Sequence, residues 1–149
     1  MKKFLLYTLV VLVLMQLYRP SKNSSAEPSK NSITTVEEVP ENIQNILKRS
    51  CNDCHSNSTN YLWYHEIAPF SYVVAYHISD GKKHVNFDEW TQYNKDQKEH
   101  IIGDLREVIK SREMPMVGYL SFHPEAVISD TDNQQLLDWI NSLESKEQL

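Results

Sequence analysis

The apolar positions after residue 35 recur with the three- and four-residue spacing of amphipathic helices. No alternating apolar and polar segment of useful length competes with them, so the sequence predicts a mainly helical domain with long connecting segments. The positions that define the four predicted helices are Ile43, Ile46 and Leu47; Ile67, Phe70, Val74, His77 and Ile78; Ile101, Ile102, Leu105, Val108 and Ile109; and Leu136, Leu137, Ile140 and Leu143.

Local residues predict where these helices begin and end. Pro40 suits the first turn of the first helix, and Gly81 is expected to close the second. The third runs into Arg112. Ser129 and Asp132, three residues apart, form a variant of the capping box at the start of the fourth.

The amino-terminal segment has the pattern of an export signal. Lys2 and Lys3 precede an apolar run over residues 4–18, interrupted only by Thr8 and Gln16. As a helix this run would span about 22 Å, which is shorter than a bilayer core of about 30 Å. We assign residues 1–20 to a signal peptide or membrane anchor. An uncleaved anchor is favoured over cleavage near Ala26, and both export the rest of the chain.

Residues 21–35 are rich in Ser, Asn, Lys and Pro and contain almost no apolar side chain. Such a segment cannot bury enough surface to become ordered, so it predicts a flexible tether. Residues 36–149 then form one folded domain.

Composition excludes two classes of function. The formal charge is −5 and no dense Lys/Arg run is present, which argues against binding to nucleic acid. The chain has three Gly and no Gly-rich phosphate loop, which argues against nucleotide-dependent chemistry.

Cys51, Cys54 and His55 form the sequence C-x-x-C-H, the spacing of c-type haem attachment. Two thiols three residues apart can reach the two vinyl groups of one porphyrin, and the adjacent imidazole can bind the iron. The motif therefore predicts one covalent haem c, with His55 as a metal ligand. A structural disulfide, a thioredoxin-like redox motif and a zinc site remain minor alternatives.

The sixth iron position is expected to be filled from the segment after the third helix. Met114 is the first choice, because Pro115 leaves the residue before it extended, and Met116 is the alternative. Either methionine could instead only fill an apolar gap. His77 and His123 are weaker candidates for the same position.

The sequence resembles the bacterial haem-binding domain family over residues 36–143. That resemblance implies a compact, helical, cytochrome c-like fold, with haem c attached at Cys51 and Cys54 and ligated by His55. The family often has a second Pro after Met-Pro, where this chain has Met116. The resemblance is carried by Cys51-Asn52-Asp53-Cys54-His55-Ser56-Asn57, Trp63-Tyr64, Ile67, Pro69, His77-Ile78, Gly81, Asn86-Phe87, Trp90, Met114-Pro115, Tyr119 and His123-Pro124.

Three further residues are expected to bind the cofactor, and the first, Pro69, is chosen by analogy with cytochromes c, with a proline that only shapes the loop as the alternative. The carbonyl of Pro69 is expected to accept the second imidazole proton of His55. Trp63 and Tyr119 flank the two ligand segments and are expected to wall the porphyrin, although core aromatics would look the same in the sequence.

These observations predict a single-haem electron carrier rather than an enzyme. Its expected location is the bacterial cell envelope, in the periplasm or anchored to the membrane through the amino-terminal segment. We expect a redox protein as partner and no nucleic acid. The alternatives are a haem-based sensor or haem enzyme with an exchangeable sixth ligand, and a structural haem subunit of a membrane complex.

Overall fold

The computed structural model describes residues 1–27 and 29–147, and these residues contain helices and no β-strand. The predicted all-α class is therefore confirmed. Three short 3₁₀ helices occupy parts of the long connections, at Trp63–Glu66, Phe87–Gln92 and Pro124–Ala126. The α-helices are α1 (Lys2–Met15), α2 (Ile33–Val36), α3 (Glu41–Ser50), α4 (Asn52–His55), α5 (Phe70–His84), α6 (Lys95–Ser111), α7 (Val117–Leu120) and α8 (Asp130–Glu147).

Helices α3, α5, α6 and α8 are the four helices predicted from the apolar spacing. Pro40 is the N-cap of α3, and α6 ends at Arg112, which adopts the left-handed conformation (φ 58°). The backbone N–H of Asp132 donates to the Ser129 hydroxyl, and the Asp132 carboxylate accepts from the Ser129 N–H. The predicted capping box is thus present at the start of α8.

The core lies between α3, α6 and α8. The apolar faces of these helices meet around Trp90, which comes from the 3₁₀ helix at Phe87–Gln92 and is fully buried. Helix α4 packs on α5 at one side of this core. The arrangement leaves the short α4 supported by two longer elements, α3 before it and α5 beside it.

Gly81 does not close α5 as predicted, because the helix continues to His84. A Cβ atom built at Gly81 would lie 2.9 Å from the carbonyl oxygen of Cys54 and 3.3 Å from Cε1 of His55. Glycine is therefore required here by the close approach of α5 to α4 and not by a helix end.

Several of residues 21–27 and 29–35 contact the domain, which differs from the predicted flexible tether. The Asn23 side-chain amide donates to the carbonyl of Ser56 and to the Thr59 hydroxyl (2.9 Å each). The Ser29 hydroxyl donates to the carbonyl of Asp88, and Ile33 is fully buried in the core. Side-chain hydrogen bonds and one apolar anchor supply the order that the composition did not indicate.

Helix α1 buries none of its residues, and no helix in the described part of the chain is both long and apolar enough to cross a membrane. The prediction of a signal peptide or anchor for residues 1–20 stays a prediction. Residue 28, within the predicted tether, and residues 148 and 149, at the end of the predicted domain, lie outside the described residues.

Candidate functional site

The C-x-x-C-H motif lies where α3 ends and α4 begins. Cys51 is the C-cap of α3, and its N–H donates to the carbonyl of Leu47 (2.9 Å). Its own carbonyl accepts from the N–H groups of Cys54 (3.2 Å) and His55 (3.0 Å). This single turn brings residues three and four apart to the same side of the chain, so both thiols and the imidazole share one surface.

That surface is one wall of a cavity of ≈ 370 Å³. Met114 and Met116, which precede α7, line the same cavity. We name it the first lobe. Other residues that line this lobe are Ser50, His77, Gly81, Val85, Phe87, Asp104, Glu107, Glu113 and Tyr119.

The His55 imidazole contacts a backbone carbonyl and an aromatic ring. Its Nδ1 lies 3.1 Å from the carbonyl oxygen of Val85, and its ring centroid lies 6.2 Å from that of Phe87. A carbonyl only accepts, so Nδ1 carries the proton and Nε2 keeps its lone pair. Burial lowers the pKa of His55, although the hydrogen bond to Val85 acts against this shift. A neutral imidazole with a free lone pair is the form that binds metal.

The acceptor for His55 is therefore Val85, and the prediction that assigned this role to Pro69 is wrong. The Pro69 carbonyl accepts from the N–H groups of Tyr72 (3.1 Å) and Val73 (3.3 Å) in the first turn of α5. Pro69 begins that helix as its N-cap, and its carbonyl is used for this purpose.

The two cysteines are partly buried free thiols. Burial raises the pKa of Cys51 to about 12 and the pKa of Cys54 to about 11. Reactive dithiols in redox motifs have lowered thiol pKa values, so this environment does not resemble a thioredoxin-like site. Within residues 1–27 and 29–147, no three His, Cys, Asp or Glu side chains form a group that could hold a metal ion.

Three of the four candidates for a sixth ligand reach the first lobe. Met114, Met116 and His77 all line it. His123 does not, because it is buried elsewhere. The segment chosen from the sequence thus lines the same cavity as the motif, with both of its methionines.

Tyr119 and Trp63 are placed differently from each other. Tyr119 lines the first lobe, and its hydroxyl donates to Oδ2 of Asp53 inside the C-x-x-C-H motif (2.8 Å). Burial and the Asp53 carboxylate raise the pKa of Tyr119. Trp63 is 75% exposed and lies outside the cavity lining, so the expected porphyrin wall does not include it. Its ring packs on Tyr64 at the protein surface.

A second lobe of ≈ 300 Å³ adjoins the first. It is mainly apolar, and Phe70, Val73 and Phe122 line it. Cys51 and His55 do not line it. The two lobes share five lining residues, Asp53, Cys54, His77, Met116 and Tyr119.

A polar network around the buried His123, which the sequence analysis missed, supports the shared wall. The His123 ring stacks on the Tyr119 ring, with centroids 4.1 Å apart and planes 11° apart. Its Nε2 is hydrogen-bonded to the Tyr64 hydroxyl (2.8 Å) and its Nδ1 to a Glu125 carboxylate oxygen (3.1 Å). One sequence signal indicates this network: Tyr119 and His123 are four residues apart, which places them on neighbouring turns.

A family model described as a haem-binding domain matches residues 10–142. The chain belongs to this haem-binding domain family. The match begins before residue 21, so it includes the segment predicted as a tether, in agreement with the packing of Asn23 and Ile33. No curated protein and no solved structure matches the chain.

The residues around the first lobe fit a haem group. Gly81 leaves the space that a Cβ would fill beside Cys54 and His55. The donor set offers thiols, a neutral imidazole and thioethers, which are the groups that attach and ligate haem iron. The Ser50 hydroxyl is buried on the cavity wall and has no hydrogen-bond partner among the described residues, so a donor is available to an oxygen of the bound group.

Proposed function

We propose that this haem-binding domain carries one haem c and transfers single electrons outside the cytoplasmic membrane. Cys51 and Cys54 would hold the haem through two thioethers, and His55 would ligate its iron. The observation that supports this most directly is the common wall formed by the three side chains, with the His55 Nδ1 proton already bound by the Val85 carbonyl. Haem iron supplies a one-electron couple whose potential depends on the axial ligands and on burial.

Met114 is our first choice for the second axial ligand and Met116 is the alternative. Both line the first lobe, on a segment separate from the motif. A thioether in this position favours the reduced iron and raises the potential. The chain's own contribution is then to hold the imidazole in one tautomer, to present a thioether opposite it, and to exclude water with the walls of the lobe.

The covalent attachment is tested on the full chain, produced in a host with c-type maturation machinery. We expect a mass increase of one haem, and we expect the haem to stay with the protein in acid acetone. The Cys51→Ser and Cys54→Ser variants each remove one thioether, so the pyridine haemochrome spectrum should shift towards that of a haem with one free vinyl group. If acid acetone removes the haem from the parent chain, the covalent assignment is contradicted. If the chain carries no haem, the proposal is refuted.

The axial ligand is tested with two matched variants, Met114→Leu and Met116→Leu. Leucine nearly preserves the volume of methionine but lacks the thioether, so packing is little affected. We expect Met114→Leu to abolish the charge-transfer band between methionine and ferric iron and to lower the potential, and Met116→Leu to change neither. The reverse result would assign Met116. If the parent protein lacks this charge-transfer band, the sixth ligand would be His77 or the sixth position would be open.

A haem-based sensor or enzyme with an exchangeable sixth ligand is the second candidate. The second lobe favours it, because space of ≈ 300 Å³ adjoins the first lobe through Met116 and His77. Carbon monoxide distinguishes the two functions. A reduced protein that binds carbon monoxide slowly or not at all supports electron transfer, and avid binding supports the sensor or enzyme.

The redox partner is expected to present a basic surface. The formal charge of the chain is −5, and Asp104, Glu107 and Glu113 line the first lobe. The association rate with such a partner should fall as ionic strength rises. At 0.1 M, salt largely screens the attraction between exposed charges that are more than about 10 Å apart. A rate of electron transfer that is indifferent to salt would contradict this expectation.

A further inference from the structure

Five exposed apolar side chains lie together at the beginning of α5 and on the segment before it. We name this surface the aromatic face; it consists of Trp63, Ile67, Phe70, Val73 and Tyr76. Trp63 is 75% exposed, Tyr76 is 63% exposed, and the other three are 44–51% exposed. Phe70, Val73 and Tyr76 are three residues apart on α5, on the side away from the buried Ser71 and Ile78. Contiguous exposed apolar surface of this kind marks a site of interaction.

The aromatic face is continuous through shared ring contacts. The Tyr64 ring packs edge-on against Trp63 (5.9 Å between centroids) and against Phe70 (6.4 Å). These contacts join the 3₁₀ helix at Trp63–Glu66 to the first turn of α5. Trp63 is thus connected to Phe70, and Val73 and Tyr76 continue from Phe70 along one side of α5.

Helix α1 is attached next to this surface. The Gln16 side chain donates to the carbonyl of Ala68 (3.1 Å) and accepts from the Ala68 N–H (3.0 Å). The Tyr72 hydroxyl donates to the carbonyl of Met15. The end of α1 is thus held at the beginning of α5, and α1 itself is apolar and buries none of its residues.

We propose that the aromatic face rests on the surface of a lipid bilayer together with α1, and that this contact holds the haem-binding domain in one orientation. An environment that receives the apolar α1 also meets the aromatic face, because the hydrogen bonds of Gln16 and Tyr72 join them. Trp and Tyr side chains favour the boundary between lipid and water. The second lobe, which Phe70 and Val73 line, then lies next to the lipid.

Burial of apolar surface drives this contact. Beside the face, Arg19 and Lys22 both form ion pairs with Glu66 (3.6 Å and 2.5 Å). This one carboxylate offsets only one of the two positive charges, so attraction to anionic lipid adds to the contact but is not required for it. The contact should therefore form on a neutral bilayer, and that binding should persist at high salt.

The test uses the full chain and vesicles of phosphatidylcholine, and it measures the lipid concentration at which half of the protein floats with the vesicles. The variant Trp63→Ser/Tyr76→Ser removes two members of the face. The control Val36→Ser/Val127→Ser removes two other exposed apolar side chains, 44% and 53% exposed. Helix α1 is unchanged in both, so the comparison isolates the face. We expect the first variant to need at least about tenfold more lipid, and the control to change by less than about twofold.

Tryptophan emission gives a second readout that does not depend on affinity. The chain has three Trp, and Trp90 and Trp139 are buried at 0% and 6% exposure. The difference between the parent and Trp63→Phe therefore reports Trp63. We expect this emission to move to shorter wavelength on vesicles and to be quenched by lipids with brominated acyl chains.

Two results would overturn the proposal. Unchanged Trp63 emission on vesicles that bind the chain would show that α1 binds without the face. A lipid-free dimer that dissociates in Trp63→Ser/Tyr76→Ser would assign the face to a second copy of the chain. Neither readout requires haem, so a chain that lacks haem but binds lipid through this face would refute the proposed function alone.

Discussion

Substitution of Gly81 by alanine tests the contact between α5 and the C-x-x-C-H turn. The added Cβ would lie 2.9 Å from the carbonyl oxygen of Cys54, 3.2 Å from the Cys54 Cβ and 3.3 Å from Cε1 of His55. The nearest of these atoms belongs to backbone, which cannot rotate away. We therefore expect α5 and α4 to separate by several tenths of an ångström.

The size of the effect follows from two opposing contributions. Replacing Gly by Ala inside a helix stabilises a protein by about 1 kcal/mol. Inserting a methyl group into a tightly packed contact costs about 1–3 kcal/mol. Gly103 lies inside α6, and a Cβ there would meet nothing within 4 Å. The difference in unfolding free energy between Gly81→Ala and Gly103→Ala should therefore be about 1–3 kcal/mol, because the helix contribution cancels.

Urea unfolding of the two variants and the parent measures this difference. We expect Gly103→Ala to be more stable than the parent and Gly81→Ala to be equal to it or less stable. The haem spectrum gives a second measurement, because under the proposed ligation displacement of His55 would change the ligand field in Gly81→Ala only. Equal stabilisation by both substitutions would refute the close approach of α5 to the motif.

Three further substitutions test other contacts. Tyr119→Phe removes the hydrogen bond to the Asp53 carboxylate (2.8 Å) and should lower the unfolding free energy by about 1.5–3 kcal/mol. A double-mutant cycle with Asp53→Asn would verify that this loss comes from the pair. Ile33→Ala should lower the unfolding free energy measured in urea by about 2–5 kcal/mol, because Ile33 is fully buried. A change near zero would instead support the prediction of a flexible tether. Asp132→Ala removes the hydrogen bonds that the Asp132 carboxylate accepts from Ser129 and its ion pair with Arg49 (2.7 Å), and should cost about 1–2 kcal/mol at neutral pH. Hydrogen bonds from Ser129 lower the pKa of Asp132 from 3.8, so this contribution is present above pH 3.8 and should disappear as the pH falls below it; an unchanged difference in acid would contradict the assignment.

Local patterns in the sequence were sufficient for the helices and for the grouping of the C-x-x-C-H side chains. Apolar spacing predicts α3, α5, α6 and α8, because each of these helices buries one side of a regular 3.6-residue turn. The spacing of Cys51, Cys54 and His55 is equally local, since one helical turn brings all three to one surface. The choice of the Met114 segment also relied on local backbone chemistry, and the structure brings that segment to the same cavity.

The tertiary structure decided the roles that depend on how separate segments meet. Val85 replaces Pro69 as the acceptor for His55, and a backbone carbonyl leaves no mark in the sequence because every residue has one. Trp63 lies at the surface and Tyr119 in the cavity, although both aromatic rings flank a ligand segment. Gly81 acts through its distance to Cys54, which only the packing of α5 on α4 determines. Composition and periodicity report which surfaces must be buried, whereas the partner that buries each surface is determined by the relative positions of the helices.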